Sequence, residues 1–332
     1  MKHLLRFLKL GVPIALAVWL MYITFDTQEK RDGLLAAMQQ MDWTYLILAV
    51  IFAWVSHLIR ARRWQYLMEP LGYGTRLWTR YHAVMAGYLI NMAIPRAGEA
   101  SRAALTAKYE NTPFDKTFGT IAAERIVDLI ILATITGLTV ISQYDIIWER
   151  MAALMSQTEG AEPSDNTTTY LIIGGVVLAG LLAFRFLGLQ LRDKIVGFLR
   201  GIWEGLTAIL KTPDKGRFIL DTVLIWVLYL LMFILPFFAM EETSVLGPGA
   251  IMAAFVFGAF SVVLTPGGTG TYHWAVGLAL GYYGIAESSG QALGLVIWAS
   301  QAIMLIVAGA ISLALIPIYN RAYPGHTPHP VS

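Results

Sequence analysis

The sequence predicts an all-α polytopic membrane protein, with six full transmembrane helices and two re-entrant broken helices in an inverted-topology repeat. Three observations predict it. The first is composition: 57% of the 332 residues are hydrophobic and 14% charged, against roughly 45–50% and 25% in a soluble domain. The second is a set of long apolar segments, two of them interrupted by Pro and Gly. The third is that Lys and Arg fall in alternate connections.

A span needs roughly 17–25 mostly apolar residues. The full spans are read as Leu4–Phe25, Trp43–Arg60, Phe118–Tyr144, Tyr170–Leu189, Phe218–Met240 and Gln291–Tyr319. Lys2, Arg6 and Lys9 ahead of the first span imitate a signal peptide, but no cleavage site follows the apolar run, so a retained span is expected. Tyr81–Ile94 runs into Pro95-Arg96-Ala97-Gly98-Glu99, and Ala250–Leu264 runs into Thr265-Pro266-Gly267-Gly268-Thr269-Gly270 before Tyr272–Ile285. Backbone freed by such breaks must be satisfied inside protein or in a wet cavity.

All but Lys30, Arg31, Arg125 and Arg150 of the 24 Lys and Arg lie in stretches that alternation places on one side. Excess Lys and Arg mark the cytoplasmic side. Basic stretches flank Tyr81–Ile94 on both sides, whereas Glu241, Glu242 and Glu287 flank the second broken segment. The first is therefore expected to enter and leave from the cytoplasm and the second from outside, with both termini cytoplasmic. Residues 1–150 form the first repeat, with its re-entrant segment at 81–117. Residues 151–322 form the second, with an interfacial helix at 190–211 and a re-entrant segment at 250–285. Residues 323–332 are read as a disordered tail. Matched halves of opposite topology, each with a broken segment, are the signature of a transporter-like core whose substrate site lies where the breaks meet.

Ionisable groups at membrane depth are functional candidates by default. Glu124, Arg125 and Asp128 open a span, with the two carboxylates four residues apart on one helix face. Arg125 is read as the cation inside a span, in need of a buried carboxylate or a bound anion. At the first break Arg96 and Arg102 flank a helix start near Gly98, where free N–H groups favour an anion, and Arg binds phosphate bidentately. Glu99 sits in that first turn. At the second break Gly268 and Gly270 permit sharp turns, and His273 offers either proton gating or a hydrogen-bonded structural role. Net charge +2 argues against a nucleic-acid partner, and the absence of cysteine excludes thiol chemistry and thiolate metal sites. No catalytic or metal-binding motif, nucleotide loop or cofactor site is read in the chain, so any transport would run on gradients or be passive.

Four motifs in order carry a resemblance: Arg60-Ala61-Arg62-Arg63-Trp64, Pro95-Arg96-Ala97-Gly98-Glu99-Ala100-Ser101-Arg102, Glu124-Arg125-x-x-Asp128 and Pro266-Gly267-Gly268-Thr269-Gly270. Together they resemble the lysylphosphatidylglycerol synthase transmembrane-region family of flippase-like membrane proteins. The family includes the membrane domain of the multiple peptide resistance factor, which moves aminoacylated phosphatidylglycerol between leaflets, and stand-alone proteins tied to lipid, hopanoid or polyprenyl-glycan pathways. The resemblance implies a lipid translocase of the bacterial inner membrane, acting on an anionic or polyprenyl-type headgroup. A membrane-embedded enzyme or accessory subunit of lipid or glycolipid biosynthesis is the alternative, and homo-oligomer formation stays open. No aminoacyl-transferase domain follows in the chain, so that activity is not expected of it. The family often has Glu where this chain has His273, which departs from a cationic-headgroup site. The topology has a direct check. Lys108→Cys, the only thiol in the chain, is expected to react with an impermeant maleimide from the cytoplasmic face, and labelling solely from outside would overturn the re-entrant reading.

Overall fold

A computed structural model describes residues 22, 27–94, 97–144, 146, 149 and 213–322. The expected spans Leu4–Phe25 and Tyr170–Leu189, the interfacial helix, the tail, Pro95 and Arg96 lie outside the described residues. The described chain is helical, with no strand among its elements. In chain order the helices are α1 (Gln28–Gln39), α2 (Trp43–Met68), α3 (Leu77–Ala93), α4 (Gly98–Glu110), α5 (Phe114–Ser142), α6 (Lys215–Ile234), α7 (Pro248–Leu264), α8 (Tyr272–Gly281) and α9 (Glu287–Ala322). A one-turn helix, Glu241–Ser244, precedes α7.

Among the described residues, four helical stretches are long and apolar enough to cross a membrane: Trp43–Leu71, Phe114–Ser142, Lys215–Ala239 and Glu287–Ala322. The chain is thus a multi-pass α-helical membrane protein. Its helix faces agree: Ile51 on α2, Leu138 and Ile141 on α5 and Ile311 on α9 are exposed apolar side chains of the kind lipid accepts. The start of α2 is set by Asp42, whose carboxylate accepts the Thr44 N–H at 2.9 Å. Hydrogen bonds from Thr44, side chain first and backbone second, hold the Asp42 carboxyl below its usual value.

The second span runs further than its apolar run suggested. Residues 61–68 continue as helix to Met68, so Arg60, Arg62 and Arg63 are helical rather than part of a loop. The reason is packing. Trp64, Leu67 and Met68 are buried on the face that also carries Arg60 and Arg63, at helical spacing.

Both breaks have the same local cause. α3 and α7 are each 17 residues long. Each ends on an extended residue, Ile94 (φ −130°, ψ 103°) and Thr265 (φ −129°, ψ 158°). A proline follows each of them, Pro95 and Pro266, and the residue before proline is pushed out of the helical region. The chain then returns as α4, 13 residues, and α8, 10 residues. At 1.5 Å per residue these reach only about 20 Å and 15 Å, short of a hydrocarbon core of roughly 30 Å. At the second break Gly267, Gly268 and Gly270 hold φ of 61°, 74° and 74°, which glycine adopts without a Cβ penalty.

α3 and α4 pack side by side, as do α7 and α8. α2 lies against α6. α9 packs on α8 and also on α3 of the other pair, while α5 packs on α4 and also on α7. Two apolar clusters result. One gathers Trp64, Met85, Ile121 and Met304 around the first pair. The other gathers Phe237, Val276, Leu280 and Leu293 around the second, with Leu34 of α1 joining it. With lipid on the outside, such helices associate through close packing at small residues rather than through exclusion of water. The first pair shows this at Gly87 and Gly98. A Cβ on Gly98 would lie 2.5 Å from the Gly87 carbonyl oxygen and 2.8 Å from the Asn91 Cβ. Gly98→Ala is therefore expected to lower the thermal unfolding temperature in detergent, by overpacking worth about 1–3 kcal/mol. Gly119→Ala, with nothing within 4 Å of the added methyl, is expected to be neutral or to stabilise helix by up to about 1 kcal/mol.

Candidate functional site

An apolar span cannot carry a guanidinium at membrane depth unless an anion meets it. α2 carries two such groups. Arg60 and Arg63 are 1% and 0% exposed, and they replace Arg125 as the most deeply enclosed cations of the spans. Their partners come from α5, where the four-residue spacing of Glu124 and Asp128 turns both carboxylates to α2. Arg60 Nη1 donates to Asp128 Oδ2 at 2.8 Å and its Nη2 to the Tyr229 hydroxyl of α6 at 2.9 Å. Arg63 Nη2 donates to Glu124 Oε1 and Asp128 Oδ1, both at 3.1 Å, and its Nη1 to the Thr222 hydroxyl at 3.1 Å. Arg62, on another face of α2, pairs instead with Asp221 of α6.

Arg102 and Glu99 enter from α4. Arg102 is 3% exposed. Its Nη2 makes a 2.7 Å ion contact with Glu124 Oε2, out of line for a hydrogen bond, and its guanidinium lies 3.7 Å over the Trp64 ring. The Trp64 indole N–H is itself fixed on the Thr120 hydroxyl at 2.8 Å. Arg102 was expected to face a headgroup phosphate across the α4 N-terminus. The structure commits its guanidinium to Glu124 and Trp64 instead. Asn91 Oδ1 accepts the Gly98 N–H at that N-terminus, at 3.4 Å.

Arg125 and Glu99 differ from the rest. Arg125 Nε stands 3.5 Å from Glu99 Oε1, and its Nη1 stands 3.8 Å from Asp128 Oδ2. These are ion pairs longer than the roughly 2.7–2.9 Å of a charge-assisted hydrogen bond. Their side chains are 39% and 32% accessible. The cluster therefore holds four guanidiniums, of Arg60, Arg63, Arg102 and Arg125, against three carboxylates, of Glu99, Glu124 and Asp128. The surplus positive charge falls on Arg125, the loosest of the four.

Arg125 and Glu99 open onto a cavity of about 370 Å³. Tyr88 and Asn91 of α3, Gly267 of the second break and Tyr272 of α8 also line it. Both breaks thus border one space inside the bundle. The remaining wall is apolar or aromatic apart from Gln301 of α9, with Met232 and Phe233 of α6, Phe255 of α7 and Trp298 of α9. The Trp298 indole N–H donates to the Gly267 carbonyl at 2.8 Å, tying α9 to the second break. His273 does not line this space. It is 1% exposed where α8 meets α9, its Cα so close that a Cβ on Gly294 would lie 2.8 Å away. Gly268 is buried beside Tyr272, and Gly270 completes the turn.

Reading the chain as a string of spans missed Arg60 and Arg63 as buried groups, and it missed Tyr88, Trp298 and Gln301 as cavity residues. The signal for the first two was present: Arg60 and Arg63 fall on one helical face together with Trp64 and Leu67. Glu124 is the central anion of the cluster, since it serves both Arg63 and Arg102. Glu124→Gln is expected to cost about 3–5 kcal/mol, as removal of one partner of a buried pair does, read as a large drop in thermal unfolding temperature. Glu99→Gln, at a partly accessible pair, is expected to cost no more than about 1 kcal/mol.

The sequence profile of the lysylphosphatidylglycerol synthase TM region matches residues 8–309. A UPF0104 membrane protein of Methanocaldococcus jannaschii is 30% identical over 108 residues, which are 32% of this chain and 32% of that protein. The glycosyltransferase AglD of Haloferax volcanii is 24% identical over 293 residues, covering 79% of this chain and 46% of AglD. The chain thus spans less than half the length of either of these curated relatives. No solved structure matches it. With the match running over most of its length, the chain belongs to the family of the lysylphosphatidylglycerol synthase TM region.

Proposed function

We propose that this protein is a lipid translocase that takes an anionic, phosphate-bearing headgroup into the cavity between its two broken helices. The observation that carries the reading is the make-up of that cavity. One pole holds Arg125 and Glu99, and the rest of the wall is mostly apolar and aromatic, with the amides of Asn91 and Gln301. A headgroup phosphate replaces the long Arg125 contacts with short, charge-assisted ones, and it neutralises the surplus charge of the cluster. The apolar wall accepts the proximal part of a lipid chain. Membrane-midplane sites between broken helices are the usual substrate sites of inverted-repeat transporters.

The repeat itself is part of the proposal. Each half gives a span, a Pro-broken helix pair and a closing span. The closing spans exchange partners, α9 on α3 and α5 on α7, as a pseudo-two-fold axis in the membrane plane would require. Six full spans with cytoplasmic termini, in a bacterial inner membrane, complete the arrangement. A second reading, an accessory subunit or enzyme of glycolipid synthesis, is favoured by the likeness to AglD, a glycosyltransferase by name.

Reconstitution in liposomes with acyl-labelled lipids tests the reading. Wild-type protein is expected to move at least one anionic lipid between leaflets. Arg125→Gln is expected to slow that movement at least about tenfold, the size of one charge-assisted contact, with an unfolding temperature close to wild type. Lys215→Ala, an exposed residue at the start of α6, is expected to change neither. Wild-type rates in Arg125→Gln would sink the headgroup role. A new lipid product formed without movement would favour the second reading.

A further inference from the structure

We infer that Gln301 determines headgroup specificity: its side-chain amide reads a hydroxyl or carbonyl oxygen on a headgroup whose phosphate Arg125 holds. The inference rests on the anionic-lipid reading above and deepens it. Gln301 lies on α9 one turn beyond Trp298 and lines the same cavity as Arg125 and Glu99. Its Nε2 is buried and has no hydrogen-bond partner. A buried amide left unmade is a cost to the fold, and most such groups in proteins are paired. The exceptions need a reason, and a ligand that supplies the missing acceptor is one.

Two neighbouring polar groups are already engaged. The Trp298 indole N–H is spent on the Gly267 carbonyl, and Asn91 Oδ1 on the Gly98 N–H. The cluster residues Arg60, Arg63 and Arg102 are held by their own carboxylates. Arg125 is then the charged reader and Gln301, on α9, the neutral lining group whose buried donor is unpaired. A bare phosphate offers only its own oxygens to the two groups. A phosphodiester carrying glycerol or sugar hydroxyls satisfies both. The Trp298 bond also fixes the height of α9 against the second break, so Gln301 is presented from a rigid helix rather than a loop. A site built to hydrogen-bond a substrate group discriminates against the analogue lacking it, because its own polar group is then left unpaired.

The test compares lipid pairs that differ in those oxygens. Phosphatidylglycerol is set against phosphatidic acid, and a glycosylated polyprenyl phosphate against polyprenyl phosphate. Movement is read in proteoliposomes of wild type and Gln301→Leu, and ligand-induced shifts of the unfolding temperature are read for the same lipids in detergent. Wild type is expected to favour the oxygen-bearing member of one pair by about tenfold, the worth of one hydrogen bond. Which pair shows the preference separates glycerol from sugar. In Gln301→Leu the ratio is expected to collapse towards one, through loss on the oxygen-bearing lipid. The unliganded variant should unfold at the same or a higher temperature, since it sheds an unpaired buried amide. A role in packing alone would instead lower the unfolding temperature and leave the ratio intact. If neither lipid moves but the binding preference and its loss appear, the translocase reading fails and this one stands. Equal treatment of both members by wild type, or an unchanged ratio in Gln301→Leu, overturns it.

Discussion

Arg63 is the group on which the rest of this structure depends. It sits wholly enclosed on a span, and a guanidinium cannot shed its charge there. Everything that touches it follows from the need for anions. Glu124 and Asp128 of α5 must lie against α2, and Thr222 of α6 accepts from Nη1. Arg60 extends the same demand to Asp128 and Tyr229. Once Glu124 is placed, it holds Arg102 and hence α4. Four helices are thereby fixed about one electrostatic knot, in an environment where apolar packing against lipid gives little preference for one arrangement over another.

The broken pairs solve a different constraint, that backbone freed at membrane depth must not meet hydrocarbon. The two halves reach the same answer from different sequences. Each has a 17-residue helix, an extended residue forced by proline and a short returning helix. The first secures its return with the Gly87–Gly98 approach, the second with three glycines at positive φ. The freed groups then point into protein or the enclosed cavity. The Gly267 carbonyl meets the Trp298 indole, and the Gly98 N–H meets Asn91.

Much of this was legible in the sequence, and for physical reasons. Apolar length gives spans, and Pro95 and Pro266 give the breaks to within a residue or two. A carboxylate pair at i and i+4 inside a span announces buried cations. What the sequence did not disclose was which cations. Hydropathy ended the second span at Arg60, because three arginines within four residues look like a membrane exit. The helix continues because its face, not its average, is what packs. Arg62 and Arg63 are adjacent in sequence, yet one is half-accessible and the other enclosed. Arg102 misled in the opposite way. Its place beside a helix N-terminus suits an anion site in isolation, and only the fold reveals that Trp64 and Glu124 already occupy it. His273 drew notice as the titratable group of its segment, but the helix turns it to α9 while its neighbour Tyr272 takes the cavity. Cavity residues such as Gln301 gave no signal, since one glutamine in a 36-residue helix has meaning only beside its neighbours in space.

A fold that brings short carboxylate contacts to Arg60, Arg63 and Arg102 leaves Arg125 on longer ones. A carboxylate on α9 in place of Gln301, set on the same cavity as Arg125, would complete the charge balance. The chain instead carries a neutral amide there, unpaired, and leaves the cation on 3.5 Å and 3.8 Å contacts. Both departures fall on the same cavity. Stability alone would have closed them, since unpaired buried polar groups are among the costliest features of a folded chain. Their coincidence in one cavity, bordered by both breaks, is the observation on which the proposed headgroup site rests.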